Sequence, residues 1–369
     1  MHSNLLIILV VATALAFDFT NGFHDTANVV ATTISTRALS PRVAVTLAAL
    51  LNFVGAFVSL KVAATIATGI VDAGDVTEHV VFAGLIGAIV WNLSTWYFAL
   101  PSSSSHALIG GVVGAMLAAH GTGAVQFDGL LGKVIVPAVL SPVLAFVVAG
   151  LAILVTYRLV SGLRPGPASR GFRYGQIFSA GMLALAHGTN DAQKTMGVIT
   201  LALVANGNIA VNHFAVPHWV VISAASAIAL GTYAGGWRII RTMGSRIIKM
   251  DPAQGFTAQS AGAAVVLAAS HVGFPLSTTH VMAGGVMGAG AGKRVSAVRW
   301  GVASNMAIAW LLTLPAAAAV GAATYGVTTI FGSGALGPGV IAVLAIVTLL
   351  LTVLRRAREL EVIPTGAEA

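Results

Sequence analysis

Pro101-Ser102-Ser103-Ser104-Ser105-His106 and Pro275-Leu276-Ser277-Thr278-Thr279-His280 decide the reading of this chain. Each interrupts a long apolar stretch, and neither has a charged neighbour. Each is followed by the same glycine spacing, Gly110-Gly111 with Gly114 and Gly284-Gly285 with Gly288. Upstream of each lies a second duplicated pattern. It reads Gly22-Phe23-His24-Asp25-Thr26-Ala27-Asn28 in one half and Gly188-Thr189-Asn190-Asp191-Ala192-Gln193-Lys194 in the other. A duplicated unit whose apolar segments are broken by Pro, Gly and polar residues at matching places points to the binding site of a secondary transporter.

Composition sets the class. The 369 residues are 57% hydrophobic and 8% charged, with a mean hydropathy of +0.91. Soluble domains carry about 25% charged residues, so this chain cannot cover a water-facing surface and is read as an integral membrane protein in the lipid bilayer. Its apolar tracts lack period-2 alternation, which argues for helices over barrel strands. Without cysteine there is no disulfide or thiolate chemistry. The net charge of +8 does not imply a nucleic-acid partner, because 16 of the 19 Lys and Arg sit in short stretches beside apolar segments. Leu5 to Phe17 is apolar, and Ala14-Leu15-Ala16 resembles a cleavage site. No Lys or Arg precedes it, so a retained helix is expected.

Apolar segments fall at about 4–35, 43–71, 79–99, 101–118, 130–157, 174–205, 217–238, 256–273, 275–291, 298–326 and 337–354. The pair meeting at Pro101 and the pair meeting at Pro275 read as re-entrant helical hairpins with polar tips at mid-membrane. Non-helical backbone is tolerated there only inside protein or beside a water-filled cavity. Each half then crosses the bilayer three times, so the second half is inverted. With the N-terminus outside, Arg37 and Arg42, Arg158 to Arg173, Arg238 to Lys249, Lys293 to Arg299 and Arg355 to Arg358 all fall on the cytoplasmic side. Asp72, Asp75, Glu78 and Asp128 fall outside. The expected organisation is a first transmembrane repeat (1–160), a cytoplasmic linker (161–173), an inverted repeat (174–330), and an extra helix with a polar tail (331–369). The extra helix serves the fold or a subunit interface, a homodimer being the candidate assembly. The fold class is an all-α, multi-pass membrane protein with broken helices.

The chemistry concentrates in the motifs. Asp25 and Asp191 hold matching positions, and intramembrane carboxylates are costly and usually functional; the alternative is a structural cap. Lys194 lies one helical turn after Asp191 and can pair with it. Asp18 precedes the first motif and has no evident partner. Lys61 is expected to snorkel. Ser102 to Ser105 and Ser277 to Thr279 stand where a helical arm starts. Ser caps free N–H groups there, and the same helix ends offer N–H donors, hydroxyls and a positive dipole to an anion. His106 and His280 orient the tips, carry protons, or merely cap and pack; His24, His187 and His271 are equally open. The glycines after the tips permit close helix packing. No spacing suggests a metal site. Carboxylates beside an anion are reconciled if they hold a cation or proton, or accept from a protonated substrate, which favours hydrogenphosphate over sulfate. Reciprocal linkage of cation and anion is the basis of cotransport.

At these residues the chain resembles the inorganic phosphate transporter family. The family's Gly-x-Asn-Asp-x-x-Asn pattern matches Gly22 to Asn28 and Gly188 to Lys194. Its Pro-x-Ser-[Ser/Thr]-[Ser/Thr]-His pattern matches 101–106 and 275–280. The resemblance implies an inverted repeat and phosphate held by Ser103, Ser104, Ser105, Ser277, Thr278 and Thr279. It also implies a coupling cation or proton at Asp25, Asn28, Asp191, Gln193 and Lys194, with His24, Asn190, His106 and His280 in support. His24 stands where the family has Asn, and Lys194 stands where sodium-coupled members have Asn. The longer matches look like the bacterial low-affinity branch, associated with proton coupling and with neutral metal–phosphate complexes of Mg2+ or Ca2+. The expectation is a plasma-membrane phosphate symporter coupled to H+, with Na+ coupling and a sulfate permease as alternatives, and no cofactor. A serine hydrolase at Ser105-His106 fails because adjacent helical residues point apart and no nucleophile elbow is present. Broken helices and buried opposite charges fit alternating access better than a passive channel.

Overall fold

Helices are the only elements that let alanine-, valine- and glycine-rich segments satisfy their own backbone in lipid, and the chain is helical almost throughout. The computed structural model describes residues 4–210 and 215–361. The first half comprises α1 (Asn4–Ser35), α2 (Pro41–Gly55), α3 (Lys61–Thr68), α4 (Glu78–Tyr97), α5 (Ser104–His120), α6 (Phe127–Leu130) and α7 (Val136–Val160). The second comprises α8 (Pro165–Ala205), α9 (His218–Ala234), α10 (Trp237–Arg241), α11 (Pro252–Val272), α12 (Thr278–Lys293) and α13 (Trp300–Ile330), and α14 (Leu336–Glu361) follows. Among the described residues the only β pairing is a single bridge, Val71 to Val125. Four helical stretches, Leu5–Ser35, Glu78–Tyr97, Phe127–Val160 and Trp300–Ile330, are long and apolar enough to cross a membrane. Leu140, Val143, Leu144 and Leu151 of α7 and Ile308 and Leu311 of α13 are exposed, as lipid-facing side chains would be.

Two segments read as continuous are broken. The stretch 43–71 divides into α2 and α3 across residues 56–60, and 217–238 ends at Gly235 and Gly236, beyond which the helix resumes at 59°. Gly235 supplies a backbone with φ of 71°. Hydropathy hides both breaks because the apolar composition runs straight through them. The expected linker 161–173 is short: only 161–164 are non-helical, and α8 starts at Pro165, a residue whose missing N–H suits a first turn. The polar tail beyond Glu361 lies outside the described residues.

The two hairpins are built alike. α4 closes with Leu100 N–H donating to Thr95 O at 2.9 Å and Ala99 at φ 55°. α11 closes with Phe274 N–H donating to Ala269 O at 2.9 Å and Gly273 at φ 84°. Pro101 and Pro275 then bar continuation of the helix. The next arm starts under a serine cap. Ser103 Oγ accepts from His106 N at 3.1 Å, and Ser277 Oγ accepts from His280 N at 3.3 Å.

The second arms pack across the halves: α5 lies on α13, and α12 lies on α7. The recurring glycines make this contact. A Cβ on Gly110 or Gly114 would strike the backbone of Leu314 or Ala318, and one on Gly284 or Gly288 would strike that of Pro142 or Phe146. Small residues let the helix axes approach this closely. The same exchange holds for the long helices, since α1 packs on α9 and α8 packs on α2. The two halves therefore interlock, and the hairpin tips come together between α1 and α8.

Candidate functional site

α1 and α8 each cross the molecule's middle carrying a polar face, and the two capped tips fill the space between them. Ser102 to Ser105 and Ser277 to Thr279 are all at most 3% exposed. Such burial of hydroxyls requires partners. The tips touch: Ser105 Oγ donates to the Leu276 carbonyl at 3.2 Å.

Asp25 anchors one side. Its Oδ1 lies 2.7 Å from His24 Nδ1, and it accepts from Ser104 Oγ of the first tip at 3.3 Å and from Thr279 Oγ1 of the second at 3.4 Å. The carboxylate thus spans both tips. His24 is held in turn by Thr95 Oγ1, 3.2 Å from its Nε2, while Ser102 Oγ donates to Thr95 Oγ1 at 2.8 Å. One turn beyond Asp25, Asn28 Nδ2 donates to Thr279 Oγ1 at 2.9 Å and to Thr278 Oγ1 at 3.3 Å.

Asp191 anchors the other side, one turn before Lys194 as the spacing predicts. The ammonium of Lys194 donates to Asp191 Oδ1, to Ser105 Oγ and, at 2.8 Å, to the Leu276 carbonyl. It therefore joins α8 to both tips. Asp191 Oδ2 lies 3.1 Å from His187 Nε2 and accepts from Thr278 Oγ1 at 3.3 Å. His187 Nδ1 is 3.3 Å from Asn52 Oδ1, and Asn52 Nδ2 donates to Thr232 Oγ1 at 2.8 Å.

Four charged side chains are buried among the described residues: Asp18, Asp25, Asp191 and Lys194. Three carboxyl groups are thus set against one ammonium in a low dielectric, where an anion is opposed unless a cation or proton offsets the carboxyls. Asp25, His187 and Asp191 each offer one ligand atom, and these atoms lie within 4.8 Å of one another. Two carboxylate oxygens and an imidazole can hold a metal ion there, a grouping that motif spacing alone did not suggest. At the tips the hydroxyls of Ser104, Ser105, Thr278 and Thr279 donate to Asp25, Asp191 and the Leu276 carbonyl, and the first-turn N–H groups of α5 and α12 are of the kind that meets an anion at a helix start.

Several expected site residues do other work. Gln193 does not face the tips. Its Oε1 accepts from Val62 N at 2.8 Å and Ala63 N at 3.3 Å, capping the start of α3. Asn190 braces the end of α11 through Ser270 Oγ at 2.8 Å and the Phe274 carbonyl at 3.2 Å. The Ser103 and Ser277 hydroxyls are engaged as caps, so their contribution to an anion is the helix end they shape. His106 and His280, which follow the tips, meet edge to face with ring centroids 4.8 Å apart. His280 continues onto Trp310, whose Nε1 donates to the Pro101 carbonyl at 3.0 Å. Thr95 and Asn52 were missed as site residues, and His187, left open in the sequence, is placed beside Asp191. His187 precedes Asp191 by four residues, and that helical spacing is the one signal that could have found it.

The chain is similar to known proteins. A model described as the phosphate transporter family matches residues 21–321. A Mycobacterium tuberculosis protein described as "Probable low-affinity inorganic phosphate transporter" is 56% identical over 327 residues, covering 89% of this chain and 78% of that one. A Bacillus subtilis protein of the same description is 46% identical over 324 residues, covering 87% and 96%. Among solved structures, "The sodium-dependent phosphate transporter" superposes with a TM-score of 0.78 at 26% identity, covering 88% of this chain and 99% of that one.

Proposed function

Since the chain belongs to the phosphate transporter family, we propose that it imports inorganic phosphate across the plasma membrane by proton-coupled symport. The family is one of transporters, not enzymes, and the chain is a multi-pass membrane protein. The observation that carries the proton reading is Lys194, a fixed cation held between Asp191 and both hairpin tips. A sodium ion at Asp191 would lie against that ammonium. Two unit charges 4 Å apart repel by about 4 kcal/mol at an effective dielectric constant of 20. A proton enters without needing that volume.

In this reading the N-terminal ends of α5 and α12 hold phosphate through backbone N–H groups and the hydroxyls of Ser104, Ser105, Thr278 and Thr279. Asp25 accepts a hydrogen bond from the protonated oxygen of hydrogenphosphate, an interaction sulfate cannot offer. Residues 1–160 and 174–330 act as oppositely oriented repeats, and the hairpins move as gates about the shared site. The matched packing of α5 on α13 and α12 on α7 supports that symmetry.

A second reading rests on the Asp25, His187 and Asp191 group: the cargo is a neutral complex of phosphate with Mg2+ or Ca2+, its metal held by those ligands. Uptake of labelled phosphate into proteoliposomes separates the readings. Under a pH gradient, inside alkaline, uptake should exceed that under a sodium gradient, and excess sulfate should not compete. Uptake that follows sodium alone would refute proton coupling. A strict requirement for divalent metal would favour the complex.

A further inference from the structure

Asp18 is fully buried in α1, and neither of its carboxylate oxygens has a hydrogen-bond partner. The Asn21 amide and the Thr195 hydroxyl adjoin it, yet Asn21 Oδ1 and Thr195 Oγ1 are themselves buried without partners. Residues 18, 21, 25 and 28 share one face of α1, so Asp18 stands two turns, about 10 Å, from Asp25 along the helix. The charged groups facing it come from α8: Asp191 and Lys194. Lys194 is engaged elsewhere, by Asp191, Ser105 and the Leu276 carbonyl.

The three buried carboxylates are therefore not alike. Asp25 is met by His24, Ser104 and Thr279, and Asp191 by Lys194, His187 and Thr278. Each is met by polar side chains from both its own helix and the hairpin tips. Asp18 has no cationic or tip partner, only the neutral Asn21 amide and Thr195 hydroxyl beside it, and a buried carboxylate so weakly served binds a proton rather than stay charged. The duplication sharpens this. The position on α8 seven residues before Asp191 is Ala184, which is buried like Asp18. The repeated scaffold is thus built without a carboxylate at the matching place in its other half.

We propose that Asp18 carries the coupling proton. This rests on the proton-coupled reading above. The proton joins an Asp18 oxygen from the outer side and leaves the same oxygen for the cytoplasm, and no other bond changes. Its arrival removes one negative charge from a cluster of three carboxylates and one ammonium, which favours entry of the anion. By linkage, bound phosphate favours the proton equally.

The test uses the full-length protein in proteoliposomes and compares it with D18N, which keeps the shape of a protonated Asp18, and with D18E, which restores a carboxyl. The wild type should show pH-gradient-driven uptake of inorganic phosphate. D18N should lose that stimulation, about tenfold or more, while still exchanging labelled for unlabelled phosphate across the membrane. D18E should recover the pH response. Calorimetry in buffers of different ionisation enthalpy should show proton uptake on phosphate binding by the wild type and none by D18N. D18N that retains pH-driven accumulation overturns the assignment and leaves the proton-coupled reading intact. A wild type indifferent to the pH gradient refutes that reading itself. If D18N then abolishes sodium-driven uptake, the proton assignment is overturned in favour of a sodium site at Asp18.

Discussion

Replacing Lys194 by Asn tests whether its ammonium stands in for a bound cation. Lys194 is 1% exposed and reaches Asp191, Ser105 and the Leu276 carbonyl. The variant leaves Asp191 with His187 at 3.1 Å and Thr278 at 3.3 Å, and severs the links from Lys194 to Ser105 and to the Leu276 carbonyl. Removing one partner of a buried ion pair costs about 3–5 kcal/mol. The vacated volume lies among carboxylate, hydroxyl and carbonyl oxygens, the ligands a sodium ion takes. A ligand at a hundredfold its Kd returns about 2.7 kcal/mol, so saturating sodium should restore half or more of the loss. Thermal unfolding of the detergent-purified protein, followed by size exclusion, reads this directly in NaCl and in choline chloride of equal strength. K194N should fall well below the parent in choline and recover in sodium, while the parent should not distinguish the two salts. Equal stability of K194N and the parent in choline, or identical curves for K194N in both salts, would refute the reasoning.

Valine at Gly114 or Gly288 places a branched side chain against the backbone of Ala318 or Phe146. Either should cost about 1–3 kcal/mol or more and reduce the monodisperse fraction on size exclusion. Ala99 holds the left-handed backbone that Gly273 holds in the other hairpin, at φ 55° and 84°. A99G should therefore raise the unfolding midpoint, by about 1 kcal/mol of relieved strain. Asp251 caps α11, accepting from Gln254 N at 3.0 Å, Tyr157 Oη at 2.7 Å and Lys293 Nζ at 3.0 Å. Burial opposes its charge, but the hydrogen bonds from Tyr157, the Gln254 backbone and Lys293 outweigh it and hold the carboxyl below its ordinary value. A depressed value means the stabilisation is present above the unfolded pKa and is lost as pH falls through the folded one. D251N keeps the cap but loses the charge that Tyr157 and Lys293 meet, so it should cost about 1 kcal/mol at pH 7, and the difference from wild type should begin to shrink at about pH 4 and be gone only below the depressed folded value.

Hydropathy exposed the helical class and the long helices because lipid demands a long uninterrupted apolar run, and α1, α4 and α13 comply. The hairpins were legible because proline and serine recur at 101–106 and 275–280 inside apolar sequence. The breaks after Gly55 and at Gly235 were not, since neither changes the composition of its segment. The pairing of Lys194 with Asp191 followed from a spacing of one turn. The role of Gln193 did not, because it depends on α3 arriving beside α8 with open amides. The role of His187 stayed open for the same reason: it comes from Asp191 one turn on and Asn52 on another helix. The exchange of α5 and α12 between halves could be read only as glycines expecting a close partner, never as which partner.

The cap that Gln193 provides has a mechanical consequence. Two amides of the 61–68 segment hang on one side chain of α8, and parting them would strand both inside the protein, at about 1–3 kcal/mol each. Those two pieces must therefore travel as a single lever. Spin labels placed on residues 64 and 200 should keep one fixed separation through the whole transport cycle. A pair bridging residues 100 and 274 should report two.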